Sequence, residues 1–289
     1  MATLRQIKRR IRSIQSTAKI THAMELVAAS KMRRAQARAL ATRPYAERLR
    51  WLLADLAENR ASQEAGSLPA LLQKREVAST IAIVLTPDRG LCGGLNASLN
   101  RRAAAFALEQ PHPVKFVCVG RQGRDFLYRT EASVLAEFTG LGDYPSYEDI
   151  IPVGRLIADS YISGEADRAV VIYPLFVNTV TQIPEIRTVL PVEPPEDSAT
   201  LATDYIYEPS RQTVLEEVLP RYLEMQIFEA VLELLASEQS ARMVAMRSAT
   251  ENANQMIEDL TLVYNKARQE QITRELLDIT GGVEALKVS

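Results

Sequence analysis

Apolar and small residues at both ends of the chain recur at spacings that alternate between three and four. In the C-terminal part the alternation runs without a slip through Met225, Phe228, Leu232, Leu235, Gln239, Arg242, Met246, Ala249, Ala253, Met256, Leu260, Val263 and Ala267. Near the N-terminus a second series runs through Leu4, Ile7, Ile11, Ile14, Ala18, Thr21, Glu25, Ala28, Met32, Ala35 and Ala39. This heptad spacing is typical of helices that wind around one another. The sequence therefore predicts one long coiled-coil helix at each end.

The two terminal segments also carry opposite charge. Residues 1–50 have thirteen Lys and Arg against two acidic residues, whereas residues 210–289 have eight against thirteen. Complementary charge along the flanks helps to select a partner and its orientation, so we expect the two helices to pair antiparallel. Pro44 is expected to kink or briefly interrupt the first helix. Beyond it, the residues expected to continue the apolar face are Trp51, Leu52, Leu53 and Leu56.

Between the helices, short apolar runs alternate with segments of helical periodicity. The predicted strands are 80–86, 114–119, 133–136, 169–176 and one or two within 177–192, and the predicted helices are 97–109, 120–130 and 147–161. Alternating strands and helices indicate a doubly wound, Rossmann-like α/β domain, and Pro184 favours an edge or a bulge for the last strand. The predicted fold is thus an α/β domain (75–209) inserted between two halves of a long antiparallel coiled coil (1–60 and 210–289), with loops at 61–69 and 193–203.

Composition narrows the class of protein. Of the 289 residues, 47% are hydrophobic and 24% charged, which is ordinary for a folded chain. The two cysteines, Cys92 and Cys118, are expected to be reduced thiols in a cytosolic protein. The apolar runs fall short of the roughly 20 residues needed to span a bilayer, so membrane association is expected only through other proteins. The two histidines lie far apart in sequence, and neither a metal site nor a cofactor is expected.

A glycine-rich turn at 87–96 is the one candidate for a nucleotide site. It follows a predicted strand and precedes a predicted helix, as phosphate-binding loops do. It lacks the Lys-Ser/Thr pair of a Walker loop and does not match G-x-G-x-x-G. We therefore favour a structural turn, in which Asp88 pairs with Arg89 and Asn96 caps the next helix. No spacing indicates a catalytic constellation, so the chain by itself is not predicted to be an enzyme.

The run at 264–269 (YNKARQ) places hydrogen-bonding side chains within two helical turns, where the heptad seam gives way to Glu270 and Arg274. Such a run is suited to docking on another protein, and an ordinary solvated helix surface would have the same spacing.

Several longer motifs have a family resemblance. They are KITHAMELVAASKMRRA at 19–35, TPDRGLCGGLN at 86–96, SEQSARM at 237–243, LVYNKARQ at 262–269 and ITREL at 272–276. In this order, between coiled-coil termini, they resemble the gamma subunit of F-type ATP synthases of the bacterial type, over the whole chain.

The resemblance implies a non-catalytic central-stalk rotor subunit. It would transmit rotation of the membrane c ring to the catalytic ring of alpha and beta subunits, and so couple proton flow with ATP synthesis or hydrolysis. The implied partners are the alpha and beta subunits, the epsilon subunit and the c-subunit ring, with one copy per complex and no cofactor or nucleic acid. The implied location is peripheral, on the cytoplasmic face of the bacterial cell membrane.

The resemblance also implies contact residues. Those matching contacts with the alpha/beta ring are Met24, Arg242, Arg268, Gln269, Thr273 and Glu275. Those matching the stretch that faces epsilon and the c ring are Tyr205, Tyr207 and Glu208. His22 departs from the Lys or Ser of many relatives, and no cysteine pair lies between 192 and 210, so regulation through a disulfide there is not expected.

From residues alone, one alternative stays open. An α/β nucleotide- or nucleic-acid-binding protein with a basic helical arm would show the same charge asymmetry, and a salt titration against duplex DNA would distinguish it.

Overall fold

The structure, a computed structural model, describes residues 3–58, 69–193 and 207–288. Its helices are α1 (Leu4–Glu58), α2 (Leu95–Glu109), α3 (Arg121–Arg129), α4 (Ile151–Ile162) and α5 (Arg211–Val288), with a short 3₁₀ turn at Ala70–Leu72. Its strands are β1 (Thr80–Leu85), β2 (Val114–Val119), β3 (Val134–Phe138), β4 (Arg168–Phe176) and β5 (Gln182–Leu190). Most residues of the loops predicted at 61–69 and 193–203 lie outside the described residues.

The five strands of the described chain form one sheet in the order β3-β2-β1-β4-β5. The first four strands are parallel, with Ile83 of β1 opposite Val117 of β2 and Val171 of β4. β5 is antiparallel to β4, and Pro184 faces Pro174 across this pair. The order reverses at β1, which confirms the doubly wound α/β fold. The edge position of β5 agrees with a strand that contains proline.

The side chains of β1 alternate between two hydrophobic clusters, because successive residues of a strand point to opposite faces. Ala82 and Val84 pack in the cluster that includes buried residues of α2 and α3. Ile81, Ile83 and Leu85 pack in the cluster that includes α4 and the first turns of α5. All six residues of β1 are buried, so the central strand is covered on both faces, as parallel sheets require.

The chain separates into two compact units, and both long helices pass from one unit into the other. One unit, which we call the domain unit, spans Ala28–Arg242. The other, the terminal unit, combines Met1–Val27 with Met243–Ser289.

In the terminal unit, α1 and α5 pair antiparallel. The hydroxyl groups of Thr21 and Thr250 lie 2.7 Å apart, and Nε of Arg247 donates to Oε1 of Glu25 at 2.8 Å. Ile7, Ala18 and Thr21 are buried at heptad positions. This register places Leu4, the first residue of α1, opposite about residue 267 of α5. The described side chains from 268 to 280 are accordingly all exposed.

In the domain unit, the same two helices lie alongside the sheet. Arg50 of α1 pairs with Glu229 of α5 at 3.0 Å, and Leu53 and Leu56 are buried in the core. The helix continues through Pro44, so the brief interruption that was one of two expectations there does not occur. The expectation for Trp51 was wrong, since Trp51 is 51% exposed and points away from the buried face that Leu53 and Leu56 share.

None of the described helices is long and apolar enough to cross a membrane.

Candidate functional site

Four of the six residues assigned to the alpha/beta ring lie on α5 beyond the point opposite Leu4, the first residue of α1. Arg268, Gln269, Thr273 and Glu275 are all exposed. At about 100° per residue, Arg268 and Glu275 share one face of the helix, and Gln269 and Thr273 share a neighbouring face. The four side chains therefore lie on an exposed band of about 160°, in which the apolar Ile272 and Leu276 are exposed between the two polar faces.

The contacts that these residues make within the chain are local to the helix. The Thr273 hydroxyl donates to the backbone carbonyl of Gln269 at 2.9 Å, which keeps the donor occupied inside the turn. Nε2 of Gln271 donates to Glu275 Oε1 at 2.8 Å. Since these bonds are exposed to water, their exchange for bonds to a partner costs little.

Met24 lies on α1 in the terminal unit and is half-buried. The neighbouring Glu25 joins the two helices, because its carboxylate accepts from Arg247 of α5 and lies 3.3 Å from Nδ1 of His22. The hydrogen bond from Arg247 is the main reason why the pKa of Glu25 lies below its ordinary value. Met24 is thus next to a cross-helix ion pair.

Arg242 occupies a different environment from the exposed band on α5. It lies in the domain unit, is 9% exposed, and one guanidinium nitrogen donates to the backbone carbonyl of Gly90 at 3.1 Å. The same nitrogen donates to Glu238 Oε1 at 2.6 Å, one helical turn earlier. In the chain by itself, Arg242 therefore joins α5 to the glycine-rich turn.

The carboxylate that pairs with Arg242 is itself buried. Glu238 is 8% exposed, and burial raises its pKa, although the charge and hydrogen bond of Arg242 act in the opposite direction. A buried ion pair of this kind adds little stability over an apolar pair of similar size, but loss of one partner leaves an unpaired charge. The pair therefore specifies geometry more than it contributes stability.

The residues assigned to the epsilon and c-ring contact are placed only in part. Tyr205 lies outside the described residues, and Glu208 is exposed. The Tyr207 hydroxyl donates to Oδ2 of Asp55 on α1, and the Arg211 guanidinium lies 4.9 Å from the centre of the Tyr207 ring. Burial, assisted by the Asp55 carboxylate, raises the pKa of Tyr207 to about 12. Tyr207 thus ties the start of α5 to the end of α1.

The glycine-rich turn makes its polar contacts inside the domain. The carboxylate of Asp88 accepts from the backbone N–H of Arg121 at 2.9 Å and from that of Gly140 at 3.0 Å. An acidic side chain thus occupies the amino end of α3, where an anion is favoured. The expected cap on α2 was wrong, because Asn96 is the second residue of that helix and its N-cap is Gly94. These contacts favour the structural interpretation of the turn, which remains a prediction.

Sequence reasoning missed three further side chains of α5. The Phe176 N–H donates to Oε2 of Glu233 at 3.0 Å, the Ser237 hydroxyl donates to Pro174 O at 3.1 Å, and the Ser240 hydroxyl donates to Thr179 O at 2.8 Å. The sequence feature that could have indicated the two serine contacts was a polar run, SEQS at 237–240, directly after an apolar stretch of the helix. Buried polar residues in such a position need fixed partners.

Across residues 3–58, 69–193 and 207–288, no group of three or more His, Cys, Asp or Glu side chains is arranged to hold a metal ion.

Comparisons with known proteins agree with this architecture. A sequence model of the ATP synthase family matches residues 3–286. The chain is 52% identical over 286 residues to the ATP synthase gamma chain of Dehalococcoides mccartyi, which covers 99% of this chain and 100% of that protein. It is 50% identical over 290 residues to the gamma chain of Chloroflexus aurantiacus, with 99% of both chains covered.

Solved structures share the fold at lower sequence identity. A chain of the Euglena gracilis mitochondrial ATP synthase, from a structure of OSCP, F1 and the c-ring, matches with a TM-score of 0.68 and 21% identity. That match covers 98% of this chain and 94% of the other. A chain from the central stalk and c-ring of the Tetrahymena thermophila enzyme matches with a TM-score of 0.63 and 22% identity, over 80% and 99% of the two chains. With bacterial gamma chains matching from end to end at about half identity, this chain belongs to the gamma-chain family of the ATP synthases, as a central-stalk subunit and not a catalytic one.

Proposed function

We propose that this chain is the rotor that couples rotation of a membrane c ring to the catalytic ring of alpha and beta subunits. One copy serves each complex, on the cytoplasmic face of the bacterial cell membrane, and holds no nucleotide of its own. The domain division at 1–60, 75–209 and 210–289 is part of this proposal, since rotor contacts are assigned separately to the helices and to the α/β domain.

The observation that carries the proposal is the length of α5 left without a partner helix. From 268 to 280 every described side chain is exposed, including the apolar Ile272, Leu276 and Leu277. A helix with large exposed apolar side chains on one stretch is unusual for a free surface and fits a segment that another protein encloses. Within this segment we assign Arg268, Gln269, Thr273 and Glu275 to hydrogen bonds with the alpha/beta ring.

We assign Met24 and Arg242 to a second, lower contact with the same ring. Met24 offers a half-buried apolar side chain beside the Glu25–Arg247 pair. Arg242 contributes mainly by holding the glycine-rich turn, because its guanidinium already donates to Gly90 and Glu238.

We assign Tyr205, Tyr207 and Glu208 to the contact with epsilon and the c ring. Glu208 is exposed and can meet a partner directly. Tyr207 supports the segment by its bond to Asp55. This contact would connect the α/β domain to the membrane ring.

The alternative, a nucleic-acid-binding protein with a basic arm, is not supported by any specific contact. Part of the basic charge of α1 is used inside the domain unit. Lys31 pairs with Asp143 at 2.7 Å, Arg34 donates to Tyr144, and Arg38 donates to Pro145 O at 3.0 Å. These contacts fasten the loop before α4 to α1.

The proposal is tested by replacing Arg268 and Gln269 together with alanine. Both side chains are exposed, so folding should be intact, and a charged hydrogen bond to a partner contributes about 1.5–3 kcal/mol. A full loss of that free energy from the transition state would lower the rate of ATP hydrolysis by the assembled complex, normalised to the content of this chain, at least about tenfold, and we expect a smaller fall. The loss should be partial, because steric contact along the helix also transmits torque.

The matched control is Gln255→Ala with Arg221→Ala, which removes the same two residue types from exposed positions of α5 outside 268–280. It should hydrolyse ATP at the wild-type rate. Wild-type turnover by the Arg268 and Gln269 variant would remove these two residues from the mechanism. Failure of the chain to copurify with alpha and beta subunits would remove the rotor function altogether.

A further inference from the structure

The C-terminal helix occupies the crevice in which doubly wound domains commonly bind their ligands. That crevice lies at the carboxyl ends of the strands, where the strand order reverses, which here is between β1 and β4. The Gly90 carbonyl follows β1, and Pro174, Phe176 and Thr179 lie at the end of β4 or just after it. All four are hydrogen-bonded to α5.

We propose that four side chains of α5, which we call the strap (Glu233, Ser237, Ser240 and Arg242), fix the rotational angle of this helix against the α/β domain and carry torque between them. This rests on the proposed function, because it assigns the internal path by which a rotor subunit passes torque from its domain into its helix.

The chemistry of the strap bonds supports this role. Each strap side chain bonds to a backbone atom of the α/β domain, at distances between 2.8 and 3.1 Å. Backbone groups at strand ends are held by the sheet itself, because Thr86 N–H, next to the turn, donates to Val119 O at 2.8 Å. Pro174 and Phe176, which lie within β4, therefore cannot shift without disturbing the sheet, whereas Gly90 and Thr179 lie in the loops that follow β1 and β4.

The positions of the strap residues around α5 resist rotation in both directions. At about 100° per residue, Glu233, Ser237 and Ser240 fall within a stripe of about 60° that faces the β4–β5 hairpin. Arg242 lies about 120° or more away from that stripe and bonds to the turn after β1. A helix held from two sides by different loops cannot turn without breaking bonds on at least one of them.

Burial of the strap hydrogen bonds favours one rotational angle of α5 over its neighbours. Ser237 and Ser240 are both 0% exposed, so water has little access to their hydroxyl donors. Purely apolar packing tolerates small slips between neighbouring rotamers, whereas a buried polar group that loses its partner is strongly disfavoured. The small serine side chains also allow the helix backbone to approach the hairpin closely.

The decisive comparison is between Glu233→Ala and Glu233→Gln in the complete complex in inverted membrane vesicles. Alanine removes the acceptor for the Phe176 N–H, and glutamine retains an acceptor oxygen of the same reach. ATP hydrolysis and ATP-driven proton uptake are measured together, first without and then against an imposed proton gradient. Ser248→Ala, an exposed serine on the same helix, is the matched control.

A single lost hydrogen bond shifts an equilibrium by about twofold to tenfold. We therefore expect Glu233→Ala to hydrolyse ATP at the wild-type rate while its proton uptake against the gradient falls about twofold to tenfold. Glu233→Gln and Ser248→Ala should keep the wild-type ratio of protons to ATP. A general loss of protein stability would lower proton uptake with and without the imposed gradient, whereas loss of the strap should lower it only against the gradient.

Two results would overturn the strap. One is a wild-type ratio of protons to ATP against the gradient in Glu233→Ala. The other is an equal loss of proton uptake in Glu233→Gln, which retains the hydrogen bond to Phe176. If Glu233→Ala does not assemble, Ser237→Ala removes a single oxygen, and the same criterion decides. Failure of the wild-type complex to take up protons would instead refute the proposed function.

Discussion

A methyl group at Gly120 should destabilise the α/β domain severely. Gly120 connects β2 to α3 with a φ of +104°, a conformation that residues with a side chain rarely adopt. A Cβ placed there would lie 1.8 Å from the backbone oxygen of Thr86 and 2.7 Å from its carbonyl carbon. Thr86 is held by its N–H bond to Val119 O and by the bond from Gly123 N to its hydroxyl, each 2.8 Å long. The clash therefore has no inexpensive relaxation.

The cost has two parts. The backbone conformation adds about 1–3 kcal/mol for a non-glycine residue. Overpacking against atoms that cannot move adds about 1–3 kcal/mol. Together, Gly120→Ala should lower the free energy of unfolding of the domain unit by about 2–6 kcal/mol, a large part of the 5–15 kcal/mol that is typical of a folded protein.

Hydrogen exchange of the full-length chain, followed by mass spectrometry, measures this loss locally in the peptides of β1 and β2. Two other glycines provide a graded control, since neither would place a Cβ within 4 Å of another atom. Gly140 has a φ of +81°, so Gly140→Ala should cost about 1–2 kcal/mol. Gly90→Ala should change stability by less than about 0.5 kcal/mol. Equal protection of β1 in Gly120→Ala and Gly90→Ala would refute the argument.

Two further predictions concern the helix pair of the terminal unit. Cysteines at Thr21 and Thr250, whose hydroxyls lie 2.7 Å apart, should crosslink within one chain, whereas cysteines at Thr21 and Thr261 should not; crosslinks found only between chains would contradict the antiparallel pairing. Because the Arg247 hydrogen bond lowers the pKa of Glu25, the stabilisation from this pair is complete above the ordinary pKa of 4.5 and is lost as the pH falls through the lower folded value. Thermal unfolding between pH 6 and pH 3 should show this loss, of less than about 1 kcal/mol, as the difference in pH dependence between the wild type and Glu25→Gln, and it should be smaller in Arg247→Ala, which keeps the His22 contact. An equal pH dependence in the wild type and Glu25→Gln would assign the loss to other groups.

The helices could be predicted because their signal is local and repeated. A spacing of three and four residues depends only on the geometry of one helix. The seam from Leu4 to Ala39 therefore indicated that α1 packs against another helix, but the spacing did not identify that helix. The five strands were also predicted, because fully covered strands are continuous apolar runs such as that of β1. The exceptions have local causes. Trp51 was placed on the buried face by its hydrophobicity, although its angle on the helix points it outward.

The exposed band around Arg268 was anticipated, since a polar run after the end of a seam needs no knowledge of the third dimension. Its role toward partner subunits remains a prediction. The antiparallel direction of β5 and the strand order could not be read from the sequence, because pairing in a sheet is settled by packing across the whole domain.

The amino-acid sequence by itself determined the two heptad helices, the apolar strands between them and the family motifs, because each is a pattern of residues that are close together in the sequence. Only the tertiary structure decided which groups satisfy the buried polar residues. Arg242 and Gly90 are 152 positions apart, as are Tyr207 and Asp55. Arg242 meets Gly90 because the sheet brings its strand ends to one edge and α5 crosses there, and Tyr207 meets Asp55 because the start of α5 lies beside the end of α1. Contacts between residues so far apart in sequence cannot be predicted from residue spacing.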